Sequence, residues 1–255
     1  MFEPNSTIGW SIGRLRSTAL DLLAFVRAPT LGPRESDRGR PVADVAWLFL
    51  LNCLIVLAIA MVLFPMMMLF GVEMSSDMSA LFDRPLWQMV LIVIIVGPIA
   101  EELMFRVWIV GNPRWLILVC GLVTWIGGSS GLEQSGLVDW NQGLAIGLGA
   151  AIALASLAGL VRLWKAPVPS WYRSIFPLVF WGQALLFGLV HVFNYTGANP
   201  ATLLPFILPQ LVGGLIWGYA RIRYGWWSNI LMHMAYNLLA TSGLLYVLVT
   251  GPGVG

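Results

Sequence analysis

Five ionisable side chains stand inside long apolar stretches of this chain: Glu101, Glu102, Arg106, His191 and His233. The two histidines are the only ones in the sequence, and each precedes an amide, Asn194 after His191 and Asn237 after His233. An ionisable group is costly to place in lipid and marks function unless it is paired. On a helix Glu102 and Arg106 are four residues apart with the acid first, so they can neutralise each other on one face. A buried ion pair that only fixes helix packing is the plainer account of those two. Glu101 is rotated about 100° from Glu102 and has no such partner. Phe187 shares a face with His191, and His233 shares one with Asn237; Asn194 reads as a supporting residue or a helix-end residue. A carboxylate can take a proton from water, a histidine can hold that water or a metal, and a histidine with an amide can steady an oxyanion. The chemistry indicated is hydrolysis, with a peptide bond as the natural target.

The chain that must hold these groups has 255 residues, 58% hydrophobic and 10% charged, with a mean hydropathy of +0.82. Soluble domains carry about 25% charged residues, so a soluble enzyme is excluded. A net charge of +2, with dispersed arginines and a single lysine, makes no phosphate-tracking stripe and excludes a nucleic-acid binder. Cys53 and Cys120 lie in apolar runs without disulfide or metal-type spacing.

A helix needs about 20 apolar residues to span the hydrocarbon. Spans are expected at 45–70, 86–110, 115–127, 143–164, 176–193, 203–220 and 226–249, the third being short. This predicts an all-α, polytopic helical membrane bundle with seven transmembrane helices, in a single domain over 45–250. Residues 1–44 form an Arg-rich tail. There Leu15, Ala19, Leu22, Leu23 and Val26 share a helical face, which suits an eighth, interfacial helix lying on the bilayer, before Gly32-Pro33 and Pro41 break the chain. Seven crossings put twelve of the 14 basic residues on one side, Arg84 on the other and Arg106 within a span. The N-terminus is therefore expected in the cytoplasm of a cell-membrane protein. Trp87, Trp115, Trp140 and Trp164 fall at span ends, and Gly143 with Gly147 forms a small-xxx-small packing pair. Gly97-Pro98 frees backbone carbonyls in the second span, just before Glu101.

The reaction class narrows by elimination. There is no H-E-x-x-H zinc motif, and no aspartate lies in any span. Gly128-Ser129-Ser130-Gly131 matches the G-x-S-G of rhomboid proteases but reads as a Gly/Ser turn at the outer end of the short span. What the sequence does resemble, over about 90–245, is the CPBP family of CAAX prenyl-protein endopeptidases and bacteriocin-processing enzymes, also called Abi. The likeness rests on Glu101-Glu102-x-x-x-Arg106, Phe187-x-x-x-His191 and His233-x-x-x-Asn237 in that order, each in its own span. Residues 115–164 look like an inserted helix pair.

The resemblance implies a membrane endopeptidase acting on a membrane-associated peptide or protein. Glu101 would be the principal acid/base with His191 as its partner, Glu102 would be the base if a metal took Glu101, and His233 with Asn237 would support the water or the oxyanion. Arg106, Phe187 and Asn194 would be supporting residues. The cofactor is left open: a divalent metal such as zinc would take Glu101, His191 and His233, while a metal-free route would use Glu101 and His191 alone. The oligomeric state is likewise open. The competing class is a non-enzymatic transporter or partner-binding protein with the same polar core. One expectation is awkward. At 1.5 Å per residue, Glu101 and His233 lie about 13 and about 10 Å from the inner ends of their spans, but His191 about 22 Å from its own. A shared site requires tilted, broken or displaced helices, with a cavity expected to open toward the side of the N-terminus.

Overall fold

The computed structural model describes residues 4–32, 41–135 and 142–250. Pro33, Arg34, Arg38, Arg40 and Trp140, used above for the chain break, the charge asymmetry and the interfacial tryptophans, lie outside the described residues. Helices dominate: α1 Pro4–Arg27, α2 Pro41–Phe70, α3 Ser76–Phe82, α4 Leu86–Arg106, α5 Pro113–Ser135, α6 Gln142–Arg162, α7 Ser170–Val190, α8 Leu208–Arg223 and α9 Trp226–Thr250. The backbone demands this, because inside lipid each N–H and C=O must be satisfied within its own segment. Five helical stretches, 41–70, 86–106, 143–162, 170–194 and 200–223, are long and apolar enough to cross a membrane, and 113–129 is a shorter apolar one. The chain is a multi-pass helical membrane protein.

The described chain forms two compact units, residues 1–106 with 176–255, and residues 107–175. In the second, α5 and α6 pair along their lengths. Their close approach is made at Gly121 against Ser156 and at Gly159 against Ile117. The expected Gly143–Gly147 pair does not supply it, since nothing lies within 4 Å of a Cβ built on Gly147. Residues 127–131 do not form the expected turn: α5 continues through them to Ser135. The Ser129 hydroxyl donates to the Ile126 carbonyl, which satisfies its polar group inside the helix.

In the larger unit α8 packs on α2 and α9, and α9 on α4. The helix expected in the tail forms, as α1, but it packs on α2 and α8. Leu22 and Phe25 are buried, Phe25 lying edge-on to Phe180 and Tyr219, 5.0 Å from each. Trp181 Nε1 donates to the Val26 carbonyl. Of the face expected to lie on the bilayer, Leu22 is buried and Leu15, Ala19 and Val26 are half-buried, while Leu23 stays exposed.

Beyond α2 the chain makes a two-residue strand, β1 Glu73–Met74, antiparallel to β2 Tyr195–Thr196, which follows α7. Two glycines with positive φ frame this pairing, Gly71 at 63° and Gly197 at 88°. At Gly197 a Cβ would also stand 2.2 Å from the Gly71 carbonyl oxygen. Gly197→Ala is therefore expected to lower stability by about 1–3 kcal/mol. Gly182→Ala, in open space on α7, should change it by less than about 1 kcal/mol. Thermal unfolding of the two variants in detergent checks the contrast.

Candidate active site

The site starts from a proline. Pro98 has no N–H to donate, and in α-helical register its ring would collide with the carbonyl four residues earlier. The chain relieves this by widening α4 into a π-helical stretch, Val90–Val96, in which the Gly97 N–H reaches back to the Ile92 carbonyl. A Cβ on Gly97 would sit 2.7 Å from that same oxygen, so the wide turn needs glycine there. The Val93 carbonyl is left without a helical donor. Its α-helical partner, Gly97, is engaged with Ile92, and its π-helical partner is Pro98. Asn237 Nδ2 on α9 fills the vacancy, donating to Val93 O at 2.9 Å.

After this turn, regular α-helix from Gly97 to Arg106 carries the two glutamates. They meet different surroundings. Glu102 and Arg106 have no exposed side-chain surface, and Arg106 Nη1 donates to Glu102 Oε1. Glu102 Oε1 also accepts from His233 Nδ1 at 2.8 Å, and Glu102 Oε2 accepts from Asn229 Nδ2. Arg106 lies over Phe187, 4.4 Å from the ring centroid, and near Trp217 at 5.4 Å. These π faces cover a guanidinium whose Nε and Nη2 have no hydrogen-bond partner among the described residues. Arg221 Nε donates to the Arg106 carbonyl, satisfying an end of α4 that is itself buried.

Glu101 faces the other way. Its side chain is 36% exposed, yet Oε2 is buried without a hydrogen-bond partner among the described residues. That oxygen lies 3.7 Å from His233 Nε2 and 3.9 Å from His191 Nε2. His191 begins a 3₁₀ turn, His191–Asn194, at the end of α7. Its Nδ1 is 2.6 Å from the Phe187 carbonyl. A carbonyl and a carboxylate only accept, so both histidines carry their proton on Nδ1, a tautomer set by their partners. Both therefore turn Nε2 toward Glu101. Ring packing fixes the planes: Trp217 stacks on His233 with centroids 4.1 Å apart, and buried Phe187 lies 4.7 Å from the His191 ring.

A cavity of about 380 Å³ opens before these groups, lined by Glu101, His191, His233, Asn194 and Asn237 among others. It reaches Met78, Leu81 and Phe82 of α3, at the end of the bundle where α2 finishes. The expectation of an opening on the side of the N-terminus does not match this lining. α4 ends buried at Arg106 rather than at 110, so counting residues from 110 does not measure the depth of Glu101.

All eight residues singled out from the sequence are placed at or beside this cavity. Two contributors were missed. Asn229 stands four residues before His233 on the same face of α9, so N-x-x-x-H-x-x-x-N was the available signal. Trp217, in an apolar run, gave none. As for a metal, Glu101, His191 and His233 are of the right type. A tetrahedral zinc site with bonds of about 2.05 Å sets its ligand atoms about 3.4 Å apart, closer than these. Among the described residues no group of three His, Cys, Asp or Glu is placed to hold a metal ion, and no step below runs through one.

An apolar bundle that closes carboxylates and histidines around one cavity is an arrangement suited to hydrolysis within the membrane. The family model for the type II CAAX prenyl endopeptidase Rce1-like proteins matches residues 83–239, more than half of the chain, and the protein belongs to that family. It is accordingly a CAAX-type intramembrane endopeptidase. No curated protein and no solved structure matches the chain.

The Asn237 contact yields a double-mutant test. Asn237→Leu leaves the Val93 carbonyl unpaired, at a cost of about 1–3 kcal/mol. Pro98→Ala returns an N–H at the position that carbonyl needs in π-helical register. The cost of Asn237→Leu should therefore be smaller in the Pro98→Ala background, as measured by denaturant unfolding of the four proteins.

Proposed function

We propose that the protein hydrolyses a peptide bond in a membrane-associated peptide or protein, of the CAAX type, with water activated by Glu101 and His191. The observation that supports this best is Glu101 Oε2, without a hydrogen-bond partner among the described residues, facing Nε2 of both histidines. Water entering that gap meets a carboxylate able to take its proton and, in His191 Nε2, an acceptor that aims it. Glu101 removes one proton as the water oxygen attacks the carbonyl carbon. The oxyanion then faces two donors. One is His233 Nε2 once it has taken a proton from water in the cavity, making an imidazolium whose other N–H is held by Glu102. The second is the Asn237 amide N–H not spent on Val93. Glu101 returns its proton to the leaving nitrogen as the C–N bond breaks, giving an acid and an amine.

In this reading Glu102 touches no reacting atom; it holds His233. The N-terminus is assigned to the cytoplasm from the placement of the basic residues. Glu101→Gln keeps the side-chain shape and removes the base, so cleavage of a reporter peptide by the purified protein should fall by about 10²–10⁴. His191→Ala should lose cleavage in the same range. Wild-type rates in a folded Glu101→Gln protein would overturn the assignment.

A further inference from the structure

Asn229 has no surface exposed and stands four residues before His233, so one face of α9 presents both side chains to the same carboxylate. The Glu102 oxygens are divided between them: Oε1 takes Arg106 Nη1 and His233 Nδ1, and Oε2 takes Asn229 Nδ2. Without the amide, one oxygen of a wholly buried carboxylate would have no donor, and the group would be free to rotate about its last bond. Turning the amide over would set its oxygen against the carboxylate. The donating orientation is therefore required, although it leaves Asn229 Oδ1 without a partner among the described residues. A buried acceptor left unmatched is tolerated here in return for a fixed donor to Glu102.

We propose that Asn229 is a positioning residue for the reaction: with Arg106 it holds the Glu102 carboxylate in the one orientation that keeps a proton on His233 Nδ1. The ring then exchanges protons with the cavity through Nε2 alone. Trp217, stacked face to face on the same ring, restrains its plane but does not select its tautomer, because its indole N–H makes no hydrogen bond among the described residues. The role in the reaction rests on the reading of His233 given above; the effect on the tautomer does not.

The test uses the full chain, labelled with ¹⁵N-histidine, in detergent or nanodiscs. With two histidines in the sequence, His191→Ala assigns the spectrum. In the parent protein His233 should show a protonated Nδ1 and an Nε2 of different chemical shift. In Asn229→Leu, or in Asn229→Ala should the leucine variant fail to fold, the two nitrogens should move toward a common averaged shift. The kcat should fall about 10-fold or more with KM changed by less than about twofold, the range met when an orienting partner is lost. An unchanged His233 spectrum in either folded variant overturns the proposal, even if activity falls, because the loss would then come from packing. A changed spectrum with an unchanged kcat upholds the hold of Asn229 on the ring and counts instead against His233 as an oxyanion donor.

Discussion

Everything in this site depends on how one carboxylate is buried. Glu102 lies wholly inside the bundle, where an unpaired charge would cost several kcal/mol, and three side chains from two helices satisfy it: Arg106, Asn229 and His233. The same clamp joins α4 to α9, orients a histidine, and engages Arg106, a cation that could otherwise have neutralised Glu101. Two adjacent glutamates thereby acquire opposite duties. One is structural because it is satisfied, and the other is available because it is not.

The backbone makes this division possible. A straight α4 would leave Pro98 colliding with the preceding turn, and a simple kink would leave a carbonyl bare within the membrane. The π-helical stretch with Asn237 as its cap solves both problems, one turn before Glu101. Asn237 is also a cavity residue, so the fold and the proposed chemistry share a single amide. Widened turns of this kind are frequent at functional sites, and here the cause is a Gly-Pro pair.

How far the sequence foretold the site follows from what kind of signal each residue gives. Scarcity made Glu101, Glu102, Arg106, His191 and His233 visible, because a polar group in an apolar span stands out. The Glu102–Arg106 pair followed from helical spacing alone and is present. Asn229 was legible in principle, by the same spacing from His233, but near a span end an amide reads as an interfacial residue. Trp217 stacks on His233 by tertiary packing, which no local pattern records. Glycine at 127 and 128 suggested a turn, yet α5 runs through it; glycine weakens a helix by about 1 kcal/mol without breaking it. The meeting of His191 with Glu101 could not be derived by counting residues, because α4 ends inside the bundle at Arg106 rather than at the surface.

The central claim is that neighbouring glutamates are split into a clamped one and a free one. The most direct measurement is the unfolding stability of Glu102→Gln and Glu101→Gln compared with the parent protein in the same detergent. Glu102→Gln leaves Arg106 buried without its countercharge and should lose about 3–5 kcal/mol. Glu101→Gln removes a carboxylate with no hydrogen-bond partner at Oε2 among the described residues and should stay within about 1 kcal/mol of the parent, or gain slightly. Equal losses in the two variants, or a larger loss at Glu101, would contradict the account.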